Sequence, residues 1–295
     1  MKKILSLILT ALMLVGTMTL FAGCGGSTAG SGKAAVIDIP LTDELYAYAV
    51  KKGNTELLEQ VNAYLTKIKG DGTFDAIVNK YFGDGTPTPV VSAKEMKTDG
   101  SQLIVATNAA FAPFEYMEGE NYVGLDLEIM AGLAAELGKE LYINNMEFES
   151  VCNSVGGTAE TAAYCDIAAA GLTISDERKI TLDFSDSYYN AAQVLIVKEG
   201  DTTFADCKTA EDVMAKLKAM DSNTIIGVQT GTTGQLFCEG DSSDGGFGFE
   251  KLPVTCKGYT NGSLAVQNLL NGSVNFVIID EGPAKSIVKA INAVN

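Results

Sequence analysis

A group able to clamp a carboxylate and a turn able to accept an anion fall within one stretch, Asp166 to Val197, DIAAAGLTISDERKITLDFSDSYYNAAQVLIV. The small residues from Asp166 to Ala170 read as a short buried strand. Gly171 to Thr173 is the loop in which it ends, offering a hydroxyl and backbone amides, and Arg178 follows one helical turn later. Ligands of open α/β sheets lie beyond the carboxyl ends of the strands. Thr173 and Arg178 therefore stand where a small anion would be held, and a planar guanidinium matches a carboxylate bidentately. The competing assignment is a solvated turn on which Arg178 merely pairs with Asp176 or Glu177, as most surface arginines do.

Other chemistries are narrowed by composition. The 295 residues contain no histidine, which removes Ser-His and Cys-His nucleophiles and the commonest zinc ligand. No GxxxxGK[ST] loop occurs, and GVQTGTTG (Gly227 to Gly234) does not fit the dinucleotide fingerprint. No metal or cofactor is expected. A formal charge of −16 argues against nucleic acid as a partner. Paired carboxylates could act as acid and base, and Glu115 or Glu149 could be proposed, but among 37 acidic residues some pair always exists.

The elements that must position these groups alternate. Ala34 to Ile39 and Tyr46 to Lys52 read as strands, and Asn54 caps a helix with Leu57, Leu58, Val61, Tyr64, Leu65 and Ile68 on one face. Phe74 to Phe82 is a shorter helix, and Gly83 to Gly100 reads as a linker. Strand Leu103 to Thr107 leads into NAAFAPFEY, which places Asn108 and Phe111 at a strand end, with Phe114 fitting the core. Helix Gly124 to Gly138 and a strand ending at Phe148 follow. After the opening stretch come helix Ala210 to Met220, strand Ile225 to Gln229, a helix behind TGTTG, helix Ser263 to Leu270, strand Asn275 to Ile279 and a helix after Pro283. This alternation predicts α/β architecture with mainly parallel sheet. The turns at Asn108, Thr173, Thr232 and Asp280 are candidates for one shared cleft.

The amino terminus, MKKILSLILTALMLVGTMTLFAGC, pairs Lys2 and Lys3 with an apolar run and reads as a signal peptide over residues 1–23. Ala22 and Gly23 before Cys24 resemble a bacterial lipoprotein cleavage site, although Phe21 stands where leucine is more usual; a transmembrane anchor is the competing assignment. With Cys24 lipidated, residues 24–33 form a flexible tether. Five cysteines then remain. Cys152 with Cys165, and Cys238 with Cys256, flank Gly-rich loops and are expected as two local disulfides, leaving Cys207 over.

The phrases LIVATNAAFAPFEY, YVGLDLEIMAGLAAELGKEL, DIAAAGLTISDERKITLDFSDSYY, GVQTGTTG, VIIDEGPAK and YAYAVKKGNTELLEQVNAYLTKIKGDGTFDAIVNKYFG resemble the family 3 extracellular solute-binding proteins of ABC transporters. These are the polar amino-acid binders related to glutamine- and histidine-binding proteins. The resemblance implies a two-lobed type II periplasmic-binding-protein-like fold with the ligand cleft between the lobes. It also implies that the chain is not an enzyme. Arg178 would hold the ligand carboxylate with Thr173 and the amides around Thr232 and Thr233, Asp280 would hold the ammonium, and Phe111 and Phe148 would sandwich the side chain. Ala170 and Gly171 would add backbone contacts. Asn108 stands where relatives that bind a side-chain donor often carry Asp, and Gln229 occupies a position that varies with specificity; together they point to a polar or neutral amino acid.

The order of the blocks departs from that family, in which YAYAVKKGN follows VIIDEGPAK, so the chain resembles a circular permutant. The first lobe would then run unbroken over residues 46–192, including the junction linker 83–100. The second would combine residues 34–41 with 193–295, and strands at 42–46 and 187–192 would form the hinge. The implied protein is a monomer, lipid-anchored outside the bacterial cell membrane, that delivers an amino acid to a membrane permease. The alternatives are an exported enzyme of the cyclohexadienyl dehydratase type and a sensor or adhesin module on the same fold.

Overall fold

The computed structural model describes residues 32–156, 164–241 and 246–294. The signal peptide, Cys24 and all but the end of the tether lie outside them. The chain enters as β1 (Ala34–Ile37), then β2 (Glu44–Tyr46) and β3 (Ala49–Lys51). Tyr46 to Lys52 is thus not one strand. The Ala47 amide turns to the Leu172 carbonyl (3.1 Å) and the Tyr48 amide to Ser185 Oγ (3.0 Å), so the segment changes partners midway.

Helix α1 (Thr55–Gly70) starts where the Asn54 side chain accepts the Leu57 amide, and it buries Val61, Tyr64, Leu65 and Ile68. Helix α2 (Thr73–Phe82) follows. The linker beyond it contains no helix but is seated, because Val90 is buried and its amide bonds to the Tyr122 carbonyl at 2.7 Å. Strand β4 (Gln102–Thr107), the hairpin strands β5 (Ala110–Phe111), β6 (Glu115–Glu118) and β7 (Asn121–Val123), helix α3 (Leu125–Glu136) and β8 (Glu140–Asn145) come next. Phe148 does not end a strand; it opens helix α4 (Phe148–Gly156), which the pattern did not predict. Strand β9 (Ile167–Ala168) leads to the turn with Thr173 and a 3-10 turn, Arg178–Ile180.

The remainder comprises β10 (Leu182–Phe184), β11 (Tyr189–Ala191), β12 (Gln193–Lys198), α5 (Ala210–Lys218), β13 (Ile225–Gln229), α6 (Thr233–Glu239), β14 (Thr255–Tyr259), α7 (Gly262–Leu270), β15 (Phe276–Asp280) and α8 (Glu281–Val294). Thr209 and Asp212 form a capping box on α5.

Two five-stranded sheets result, in the orders β10-β3-β9-β4-β8 and β1-β12-β15-β13-β14, each the floor of one lobe. Both are mixed, not mainly parallel. β4 is parallel to β8 and β9, and β13 to β14 and β15, but the strands that arrive from the other lobe run antiparallel to their neighbours, as β3 does to β9 and β12 to β15. Between the lobes β2 and β11 pair antiparallel, with Glu44 opposite Ala191 and Tyr46 opposite Tyr189. Beside them Tyr46, Phe114, Tyr189 and Phe82 pack edge to face, tilted or stacked, with centroids 4.8 to 5.7 Å apart.

The two expected disulfides are not formed. Cys152, Cys165, Cys207, Cys238 and Cys256 are free thiols. Cys165 Sγ takes a hydrogen bond from Asn144 Nδ2 at 3.5 Å, whereas Cys238 on α6 and Cys256 on β14 are in hydrogen-bonding contact with each other.

Candidate functional site

Eight residues from both lobes line one narrow cleft: Phe111, Phe148, Gly171, Thr173, Arg178, Thr232, Thr233 and Asp280. Its cation is Arg178. The nearby acid Asp176 pairs with Lys179 at 2.8 Å, so the guanidinium is turned inward. Its Nη1 donates to the Thr173 carbonyl at 2.7 Å and its Nη2 reaches the Gly231 carbonyl of the second lobe at 3.4 Å. The Phe148 ring lies 5.7 Å from the guanidinium carbon, a cation-π contact that fixes the fork while leaving donors free for a carboxylate. Opposite, Thr232 stands at the N-cap position of α6 with its hydroxyl donating to the Gln229 carbonyl at 2.7 Å, and both Thr232 and Thr233 are buried. The first amides of any helix lack intrahelical acceptors, and Thr232 and Thr233 both line the same cleft.

The anionic wall is Asp280, at the end of β15 and 5 % exposed. Tyr46 donates its hydroxyl to Asp280 Oδ1 at 2.5 Å across the hinge. Burial, and next the nearby Glu44 carboxylate, push Asp280 up to about 7. Glu44, 2 % exposed, accepts from Thr42 Oγ1 (2.7 Å), Gln193 Nε2 (3.0 Å) and Thr173 Oγ1 (2.7 Å). The Thr173 hydroxyl thus directs its proton away from the cleft.

Gly171 has φ +51, and a Cβ there would meet Phe111 Cε1 at 2.8 Å, so glycine lets the ring lie on the loop. Ala170 is buried behind Gly171 and is not on the lining wall. Asn108 and Gln229 lie outside this lining but bridge the lobes, with Gln229 Nε2 donating to Asn108 Oδ1 at 3.0 Å. Asn108 also lines an adjoining polar cavity of about 450 Å³, with Asn145, Glu147, Thr260 and Asn261. The central cleft has only about 10 Å³ of free volume, so the lobes must part to admit a solute. Phe114 is fully buried among the hinge rings. Glu115 is buried beside Asp126, and burial raises both carboxyls, Asp126 to about 6.

Two contributors escape sequence reasoning, Tyr46 and Glu44. The usable signal was their spacing: two residues apart on a crossing strand they share a face, and both prove buried. A carboxylate within LTDELY otherwise reads as solvated surface.

Among the described residues no helix is long and apolar enough to cross a membrane, and no cluster of three or more metal-ligating side chains occurs. The model of the bacterial extracellular solute-binding proteins, family 3, matches residues 6–84 and 103–289. The arginine-binding extracellular protein ArtP of Bacillus subtilis (strain 168) is 39 % identical over 98 residues, covering 33 % of this chain and 36 % of ArtP. A probable histidine-binding protein of Neisseria gonorrhoeae is 30 % identical over 169 residues, 56 % of this chain and 57 % of that protein. The chain thus spans from about a third to somewhat over half the length of these curated relatives. An ancestral arginine-binding protein solved with arginine is 30 % identical with a TM-score of 0.53, over 64 % of this chain and 74 % of that one. The ancestral amino acid-binding protein AncCDT-1, a precursor of cyclohexadienyl dehydratase, is 26 % identical with a TM-score of 0.52, over 64 % and 74 % of the two chains.

Proposed function

The chain belongs to the bacterial extracellular solute-binding proteins, family 3, and we propose that it binds one amino acid between its lobes and delivers it to the permease of an ABC transporter. One observation carries this: a guanidinium and a carboxylate, contributed by different lobes, line the same cleft with two phenylalanine rings. That is the charge pattern of a zwitterion, which leaves water only if both of its charges are met.

Arg178 and the amides at Thr232 and Thr233 hold the carboxylate, Asp280 holds the ammonium, and Phe111 and Phe148 cover the side chain. Asn108 and Gln229 offer neutral amides, which favours a polar or neutral side chain. The relatives named for arginine and histidine support amino acids as the class. A family of solute-binding proteins favours carriage over catalysis, so the dehydratase alternative is not carried forward. Closure is by rotation about β2 and β11.

The lobe boundaries proposed are residues 46–192 for the first and 34–41 with 193–295 for the second. Their order follows from circular permutation, supported by the antiparallel seating of β1 against β12 and by the hydrogen bonds between Ala34 and Asn292, near the two limits of the described residues. Cleavage before Cys24 and lipidation of that residue would anchor a monomer outside the membrane; incorporation of labelled fatty acid that is lost in Cys24→Ala tests the anchor. Binding is tested by a thermal-shift screen of twenty L-amino acids, in which a ligand at a hundred times its Kd adds about 2.7 kcal/mol. Arg178→Ala should abolish the shift while leaving the unliganded melting temperature within about 3 °C of wild type. Undiminished binding by that variant would remove Arg178 from the site.

A further inference from the structure

We propose that Glu44 is a positioning residue for the ammonium half of this cleft: it takes the Thr173 hydroxyl proton and so turns that hydroxyl's lone pairs toward the bound amino group. The inference rests on the amino-acid reading above. Thr173 lines the cleft and is 3 % exposed, whereas Glu44 lies behind it on the hinge strand β2.

A threonine hydroxyl has one proton and two lone pairs. With its proton on Glu44 Oε2 at 2.7 Å, Oγ1 can only accept from the cleft. It therefore repels a carboxylate and satisfies an ammonium, and Asp280 stands on the same cleft as the second acceptor. The other Glu44 oxygen is held by Thr42 Oγ1 at 2.7 Å and Gln193 Nε2 at 3.0 Å. Gln193 begins the β12 strand of the second lobe and Thr173 belongs to the first, so one carboxylate spans the hinge. Thr173 polarity is thereby tied to the relative placement of the lobes.

Glutamine at position 44 would keep an oxygen for Thr42 and Gln193 but present an amide to Thr173. The threonine hydroxyl would then accept from position 44 and point its proton into the cleft. A carboxylate, as acceptor only, enforces the opposite orientation.

The test compares Glu44→Gln with wild type by calorimetry, using L-glutamine and L-arginine and their des-amino analogues glutaramate and 5-guanidinopentanoate, the analogues by competition. The expected result is a loss of about tenfold or more for the amino acids and less than about threefold for the analogues, in a variant that melts as wild type does. Equal weakening of both sets would mean that Glu44 acts on the hinge alone, and unchanged affinities would mean no role; either overturns the proposal. If Glu44→Gln does not fold, Thr173→Val serves, since it removes the oriented hydroxyl. It should lower the same preference for the amino group, and an unaltered preference there overturns the proposal as well. Failure of wild type to bind any of the twenty amino acids would instead overturn the amino-acid reading, and this inference with it.

Discussion

Asp280 shows how one buried carboxyl sets two pH dependences of opposite sign. Burial and the Glu44 charge hold it at about 7. An ammonium needs the ionised form, so below about pH 7 binding must first expel a proton, and affinity falls by up to about tenfold per pH unit. Stability of the unliganded chain moves the other way. The folded carboxyl keeps a proton that the unfolded one, titrating near about 4, has released. Its contribution is therefore complete below about pH 4 and is lost as pH rises to about 7. Asp126, raised to about 6 chiefly by burial, adds in the same direction. Calorimetry and melting curves on wild type and Asp280→Asn between about pH 5 and 7.5 separate the two. Wild type should bind more weakly at the acid end, and its melting temperature should rise there relative to the variant. A flat affinity over that range would mean that Asp280 does not meet the ammonium.

At the scale of elements, the turn between β13 and α6 is shaped for closure. Gly231 has φ +79, and a Cβ on it would lie 2.9 Å from Glu149 Cγ on α4 of the first lobe. That contact exists only with the lobes together. Gly231→Ala should hence weaken ligand binding several-fold, beyond the roughly 1 kcal/mol that backbone strain at positive φ costs stability. Small-angle scattering with saturating ligand should show a larger radius than wild type; an unchanged affinity would place the turn outside the closing surface. Legibility in the sequence followed the same geometry. Thr173, Thr232 and Asp280 could be found because each sits where an apolar strand stops. Arg178 had two assignments, and the pairing of Asp176 with Lys179 is a side-chain choice that spacing does not reveal. Strand β14, TCKGY, was missed because it is a sheet edge with no strongly buried residue to set a period. Helix α4 was missed because only two residues, Met146 and Glu147, separate its start from the end of β8. The break between β2 and β3 was missed because changing partners at a hinge depends on distant residues, Leu172 and Ser185.

For the whole molecule, permutation makes a claim about connectivity that is separable from the site. The first and last described elements are clipped together: the Ala34 amide donates to Asn292 Oδ1 at 3.0 Å, and Asn292 Nδ2 returns a bond to the Ala34 carbonyl at 2.8 Å. Helix α8 also packs on β1. A short connection from 294 to 33 would therefore cross little space, while the segment around 83–100 is mostly exposed and docks on the first lobe through Val90, the Ser92 hydroxyl, the Ala93 amide on the Leu141 carbonyl, and the Glu95 and Lys97 backbone on Gln102. Cutting there and joining the present ends by a few Gly/Ser residues leaves every strand of both sheets intact, since neither sheet draws a strand from 83–100. Loop closure changes free energy only slowly with loop length, so the rearranged chain should melt within about 5 °C of the original. It should bind the same amino acid with a Kd within about threefold, because none of the cleft residues moves. A rearranged chain that folds but loses binding would mean that the 83–100 passage helps to set the lobes, and the present order would then be part of the binding device. Retained binding would mean that the order in which the segments follow one another is no part of the binding device.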